Sequence, residues 1–151
     1  MLTELLPTER IRVPLGSHSR HALLRELVEM ALPDADPATV ATVFQSVLLR
    51  EAIASTAMGE GLAVPHGRTD AVRELRMAAG IVQAVDDYLA PDGVPVRACF
   101  LLLTPEADGG AHLKVLGRLA RLMRRDDLRA ALYAVPDAPG FAAVLQRSEA
   151  S

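Results

Sequence analysis

Three observations predict a fold of the α/β class, mixed α+β, as a single domain with one sheet packed against helices. Helical and strand-like apolar spacings intermix along all 151 residues, Gly and Pro clusters separate them, and half of the residues are apolar. A chain of this length buries roughly 68–70 % of its unfolded surface, enough for one core without metals or disulfides. No internal repeat or low-complexity segment is present. The order of the strands is not readable from such patterns.

Ile11 to Leu15 alternates apolar and polar residues and reads as a short strand, interrupted by Gly16-Ser17. Ser19 then caps a helix whose Ala22, Leu23, Leu27, Met30 and Ala31 make one stripe, stopped by Pro33. Asp36-Pro37 starts a second helix, with Val40, Val43, Phe44, Val47 and Leu48 on a shared face and an end near Glu51. From Ser55 to Gly67, Gly59, Gly61, Pro65 and Gly67 exclude a long helix and leave a shaped loop with one extended piece, Leu62-Ala63-Val64. Met77 to Val85 and Val94 to Leu103 are expected strands, the second apolar enough for the middle of a sheet, with the turn Pro91-Asp92-Gly93 between them. A third helix from about Ala111 to Arg125 should bury Leu113, Leu116, Leu119, Ala120 and Met123 and show a basic face of Lys114, Arg118, Arg121, Arg124 and Arg125. A last helix over Phe141 to Gln146 leaves a tail with nothing to hold it down.

Charge and composition exclude several functions. A net charge of −3 argues against nucleic acid as a main partner, and two Tyr, three Phe and no Trp leave little for base stacking. The longest apolar run, Ala98 to Leu103, is far short of the roughly 20 residues of a membrane span, so no membrane insertion is expected. The N-terminal stretch lacks a signal peptide, and the single Cys99 cannot form an internal disulfide, so a reducing, cytoplasmic setting is expected.

Chemistry centres on histidine, whose pKa near 6.5 suits nucleophilic and proton-transfer roles. His18 and His21 flank a helix start in a polar stretch, where solvent exposure explains them. His66 lies between Pro65 and Gly67, on a corner expected to be exposed and aimed, though a plain loop histidine has the same signature. His112 follows Gly109-Gly110 at a helix start, where free N–H groups favour an anion; a merely polar first-turn residue is the alternative. Arg50 can give a phosphoryl group two parallel hydrogen bonds, or simply stabilise a helix C-terminus. His66, Cys99 and His112 are too widely spaced in sequence to suggest zinc, and neither metal nor cofactor is expected.

Taken in order, Arg50-Glu51, Ser55-Thr56, Gly59-x-Gly61-x-Ala63-Val64-Pro65-His66-Gly67, Pro91-Asp92-Gly93, the run from Phe100 to Glu106 and His112-Leu113-x-x-Leu116 form one pattern. It resembles the IIA domain of the phosphoenolpyruvate-dependent sugar phosphotransferase system, in its fructose, mannitol and nitrogen-regulatory (type 2) branch. The resemblance covers nearly the entire chain, with a core of about 5–147. It implies a central mixed sheet flanked by helices and a phosphocarrier with a phosphohistidine intermediate, formally a phosphotransferase, loaded by the small histidine carrier protein. By position, His66 matches the phosphorylated residue, His112 the second histidine that hydrogen-bonds the phosphate, Arg50 the arginine that stabilises the charged state, and Thr56 the loop threonine beside them. His112 should act as a neutral donor, because a helix N-terminus disfavours imidazolium. The acceptor that fixes the His66 tautomer is not readable.

Three departures stand out: Ala57-Met58 replaces a glycine and a small branched residue, Glu60 puts an acid close to the expected phosphate, and Asp86-Asp87-Tyr88-Leu89 fits the pattern poorly. Without a second domain or membrane segment in this sequence, a free-standing nitrogen-regulatory protein acting on target proteins is favoured over a sugar-transport component that serves a membrane permease. A third reading is a binding module that no longer uses phosphate and meets an acidic partner with its basic helix face.

Overall fold

The apolar run around Cys99 becomes the middle of a mixed sheet. In a computed structural model, which describes residues 1–83 and 85–150, the chain runs α1 (Leu2–Leu5), β1 (Ile11–Arg12), α2 (Arg20–Ala31), α3 (Pro37–Ile53), β2 (Ala57–Gly59), β3 (Leu62–Ala63), β4 (His66–Arg68), β5 (Arg76–Ile81), β6 (Ala98–Thr104), α4 (Gly109–Met123), α5 (Asp126–Tyr133) and α6 (Ala138–Ala150). The strand order is β1-β5-β6-β3-β2, and β4 also pairs with β6. β5 lies antiparallel to β6, whereas β3 and β4 run parallel to it, opposite Ala98-Cys99 and Leu102–Thr104 respectively.

Every residue of β6 is buried, because helices cover both faces of the sheet. Side chains alternate between the faces. Cys99, Leu101 and Leu103 pack with Leu23, Leu27, Val43 and Val47 of α2 and α3. Ala98, Phe100 and Leu102 pack with Leu2, Leu119, Leu132 and Phe141 from α1, α4, α5 and α6. The helix starts obey the expected chemistry: Ser19 accepts the Ala22 N–H at 3.1 Å, and Asp36 accepts that of Thr39 at 2.7 Å ahead of Pro37.

Several boundaries differ from expectation, each for a local reason. β1 stops at Arg12 because Pro14 has no N–H to donate; pairing resumes where Leu15 N–H meets the Ile81 carbonyl at 2.7 Å. β5 and β6 are shorter than the apolar runs that predicted them; position 84 of the expected first strand lies outside the described residues. The expected loop from Ser55 to Gly67 folds instead into β2, β3 and the start of β4. Leu113, expected in the core, is 70 % exposed, and Leu116 is half-buried, since both face a cleft. α1 and α5 are additional helices, and α6 runs well beyond Gln146. The end of α6 is held: the Glu149 carboxylate accepts the N–H groups of Leu2 (2.8 Å) and Thr3 (3.0 Å), clasping the two ends of the fold together.

The tightest backbone approach is at Gly80, where β1 lies so close to β5 that an added Cβ would sit 2.2 Å from the Arg12 carbonyl oxygen. Gly80→Ala is therefore expected to destabilise the protein by about 2–3 kcal/mol, because backbone would have to move. Gly110→Ala, in α4 with nothing within 4 Å of the new Cβ, should be neutral or stabilising by up to about 1 kcal/mol. Urea unfolding midpoints of the two variants check this contrast.

Candidate functional site

Three elements converge at one end of the sheet. β4 starts at His66, opposite Leu102 of β6, and the Pro65 carbonyl accepts the Leu102 N–H at 3.0 Å, which draws the histidine into the sheet. His66 is thus half-buried on a strand and not fully exposed on a loop corner, as the glycines and proline had suggested. Gly67 lets β4 settle onto α3, since a Cβ there would lie 3.2 Å from Val47 Cγ2. That contact brings His66 beside Arg50 in the last turn of α3.

Both ring nitrogens of His66 are held. Nδ1 lies 2.9 Å from the Val64 carbonyl oxygen, and a carbonyl can only accept, so Nδ1 carries the proton. In the neutral ring Nε2 then bears a lone pair, which accepts the Arg50 Nε–H at 3.1 Å. The same guanidinium donates Nη1–H to the Ala54 carbonyl at 2.8 Å. Burial lowers the His66 pKa below its ordinary value, and the Arg50 charge pushes the same way; the Val64 carbonyl and Glu51 oppose them less strongly.

His112, in the first turn of α4, is only 4 % exposed. Its ring meets that of His66 edge to face, with centroids 5.1 Å apart and planes at 66°. Its Nδ1 lies 2.9 Å from the hydroxyl of the fully buried Thr104. Burial, followed by the nearby His66 and Arg68, lowers its pKa to about 4, which favours the neutral ring at physiological pH.

Thr56 lines the same cleft as Arg50 and His66, but its hydroxyl turns inward to the carboxylate of Glu51 and the phenol of Tyr88. The cleft, about 500 Å³, is mostly apolar beyond these residues and Ser55, with Ala57, Met58, Val64, Leu113, Leu116 and Ala120 along its walls. Glu60 is not on those walls. It sits at the tip of the β2–β3 hairpin with a positive φ of 57°, its N–H held by Asp92 at 2.8 Å and its carbonyl by the Tyr133 hydroxyl.

Arg118 and Arg121 of α4, with Arg125 at the start of α5, line a separate concavity beside α6. His21 packs edge-on against Phe44, remote from the cleft lining, and Cys99 is fully buried. Among the described residues no three His, Cys, Asp or Glu side chains are placed to hold a metal ion, and no helix is long and apolar enough to cross a membrane. Sequence reasoning missed the Val64 carbonyl, Thr104 and Tyr88. Thr104 did leave a signal, as the polar residue that ends the apolar run from Ala98.

A two-faced mixed sheet with a histidine pair and an arginine at the end of its central strand defines a class, the α/β proteins of IIA type. A family profile described as "Phosphoenolpyruvate-dependent sugar phosphotransferase system, EIIA 2" matches residues 4–148, and the chain belongs to that family. It is 37 % identical over 147 residues to a nitrogen regulatory protein of Bradyrhizobium diazoefficiens, covering 95 % of this chain and 94 % of that one. A nitrogen regulatory protein of Pseudomonas aeruginosa is 36 % identical over 129 residues, covering 85 % and 82 %. Among solved structures, the nitrogen regulatory protein IIA-Ntr of Neisseria meningitidis superposes with a TM-score of 0.85 at 33 % identity, covering 95 % of this chain and 98 % of that one.

Both histidines bind protons less readily folded than unfolded, so their contribution to stability is present above about pH 6.5, the ordinary imidazole value, and is lost as pH falls towards about 4. The expected result is a melting temperature that declines through this window, with a shallower decline in His112→Gln. An NMR titration should place the His112 midpoint near 4; a midpoint at or above 6.5 would contradict the burial argument.

Proposed function

We propose that the chain is a cytoplasmic phosphocarrier of the nitrogen-regulatory kind, a single EIIA-type domain that takes a phosphoryl group on Nε2 of His66. The observation that supports this most directly is the fixed tautomer: Val64 holds the proton on Nδ1, leaving Nε2 as the nucleophile. In the step proposed, the Nε2 lone pair attacks phosphorus in line, a new N–P bond forms, and the donor's own N–P bond breaks with its electron pair returning to the donor imidazole. The donor is the small histidine carrier protein of the system.

Charge must be neutralised where it develops, on the three peripheral oxygens. Arg50, which rests on the Nε2 lone pair in the free protein, is placed to transfer its N–H donors to those oxygens as the new bond forms. His112 is the second donor in this reading, which takes the Thr104 hydroxyl, 2.9 Å from Nδ1, as donor to that nitrogen and so keeps the ring proton on Nε2 for the phosphoryl group. A neutral donor there does not depend on pH near 7, because the ring titrates near 4. No metal enters the step. The exposed apolar side chains Met58 and Leu113 at the cleft, with Leu49 and Ile53 on α3, make a rim suited to docking a protein that excludes water during transfer.

Phosphorylation adds about −1.5 to −2 charges to this rim. A change of that size alters which target proteins the surface fits, which is how a regulatory IIA protein would report its state. Onward transfer to a sugar permease component is the alternative use of the same group.

Incubation with phosphoenolpyruvate, the first enzyme of the system and the small carrier, followed by mass spectrometry, tests the assignment. Wild type should gain one acid-labile phosphoryl group, His66→Ala none, and His112→Ala should be labelled but slower in onward transfer. Arg50→Ala is expected to slow acceptance by about 10²-fold, the loss typical of removing one charge-stabilising donor. Equal labelling of wild type and His66→Ala would overturn the proposal.

A further inference from the structure

The residue that follows Arg50 has no part in the chemistry above, yet it is the least conventional group in the interior. Glu51 is 6 % exposed, and among the described residues no Lys, Arg or His lies within ion-pair distance of its carboxylate. Neutral donors satisfy it instead: the Thr56 N–H at 3.3 Å to each oxygen, the Thr56 hydroxyl, and the Tyr88 hydroxyl at 2.9 Å. Burying a carboxylate without a cation is unfavourable compared with an apolar side chain of similar volume. Stability alone does not account for it.

The hydrogen bonds lead from Glu51 to the reacting histidine. Thr56, gripped through its N–H and hydroxyl, presents its own carbonyl to the Val64 N–H at 3.0 Å. Val64 in turn presents its carbonyl to His66 Nδ1 at 2.9 Å. Pro65, with a fixed φ and no N–H, is held from the other side by Leu102. Arg50 and Glu51, consecutive on α3, thus reach the two nitrogens of one imidazole. Arg50 acts directly on Nε2, and Glu51 acts on Nδ1 through Thr56 and Val64.

We propose that Glu51 and Tyr88 are positioning residues that hold the Thr56–Val64 segment so that His66 keeps its proton on Nδ1 and its lone pair on Nε2. The consequence for transfer rests on the phosphocarrier reading; the consequence for the tautomer does not. If the Val64 carbonyl shifts, the proton redistributes between the two nitrogens, and a ring protonated at Nε2 has no lone pair there to attack with. The competent fraction, and with it the acceptance rate, falls in proportion. Tyr88 gives a role to the segment Asp86 to Leu89, which the sequence resemblance leaves unexplained. That segment is anchored at α2, where Asp87 accepts the Arg20 N–H at 2.8 Å, and it delivers the phenol to the carboxylate from beneath.

Ring-nitrogen NMR of the full chain, recorded above the titration range of imidazole, separates the two tautomers directly. Wild type should show His66 as the Nδ1–H form. Glu51→Gln places an amide N–H₂ against the Thr56 donors, and Thr56→Val removes the hydroxyl; both should give a mixture, with phosphoryl acceptance slowed in proportion to the Nδ1–H fraction lost. Tyr88→Phe should show a smaller shift in the same direction, and Thr56→Ser, which restores the hydroxyl, should recover the wild-type spectrum and rate. Thermal unfolding identifies the folded variants, and if Glu51→Gln does not fold, Tyr88→Phe and the Val–Ser pair at position 56 decide. Retention of the pure Nδ1–H form in folded variants overturns the proposal, whatever the rate. Failure of wild type to accept a phosphoryl group would instead overturn the phosphocarrier reading, with the tautomer comparison still deciding the positioning role.

Discussion

A single hydrogen bond, from His66 Nδ1 to the Val64 carbonyl, sets what the cleft can do. It is short in sequence and long in structural consequence. A carbonyl cannot donate, so the bond assigns the ring proton without any charged partner and leaves the opposite nitrogen free to accept from Arg50. Much of the surrounding architecture serves to keep that carbonyl in place: β3 and β4 pair in succession along β6, Pro65 spans the junction, and Gly67 lets the strand press against α3. The sheet supplies rigidity, and the proposed chemistry occupies the short segment where one strand hands over to the next.

The same arrangement carries a stability cost. Two imidazoles packed against each other and against cationic neighbours resist protonation, and a carboxylate lies buried nearby with only neutral donors. The side chains of Met58 and Leu113 stay exposed where a solvent-facing surface would normally carry polar ones. These are local departures from what favours folding, and they cluster around one cleft. The rest of the molecule follows ordinary rules, with alternating apolar faces on β6 and capped starts for α2 and α3. Departures that gather at one place while the remainder is regular mark a functional region.

What the sequence made legible were features whose physics is local. Ser19 and Asp36-Pro37 announced two helix starts because capping depends on neighbours in the chain. The unbroken apolar run near Cys99 announced a strand covered on both faces. Arg50, His66 and His112 stood out through their motif spacing, and the fold sets the Arg50 guanidinium and the His112 ring against the His66 imidazole. Strand order was hidden because it depends on long-range pairing. The strands β2, β3 and β4 have two or three residues each, too few for any periodicity to register. The tail seemed unsupported because its partner, the start of α1, lies at the other end of the chain. The part proposed for Val64 was invisible for a different reason: it acts through a main-chain carbonyl, which every residue possesses.

Cys99 sits fully buried in β6, under the face where Glu51 and Tyr88 meet, and burial pushes its thiol well above the ordinary value. It is the one sulfhydryl in the sequence. A thiol so placed is closed to alkylating reagents until the central strand separates from its neighbours. The protein therefore contains its own gauge of sheet opening: the speed at which a disulfide reagent is consumed under native conditions reports how often the layers part.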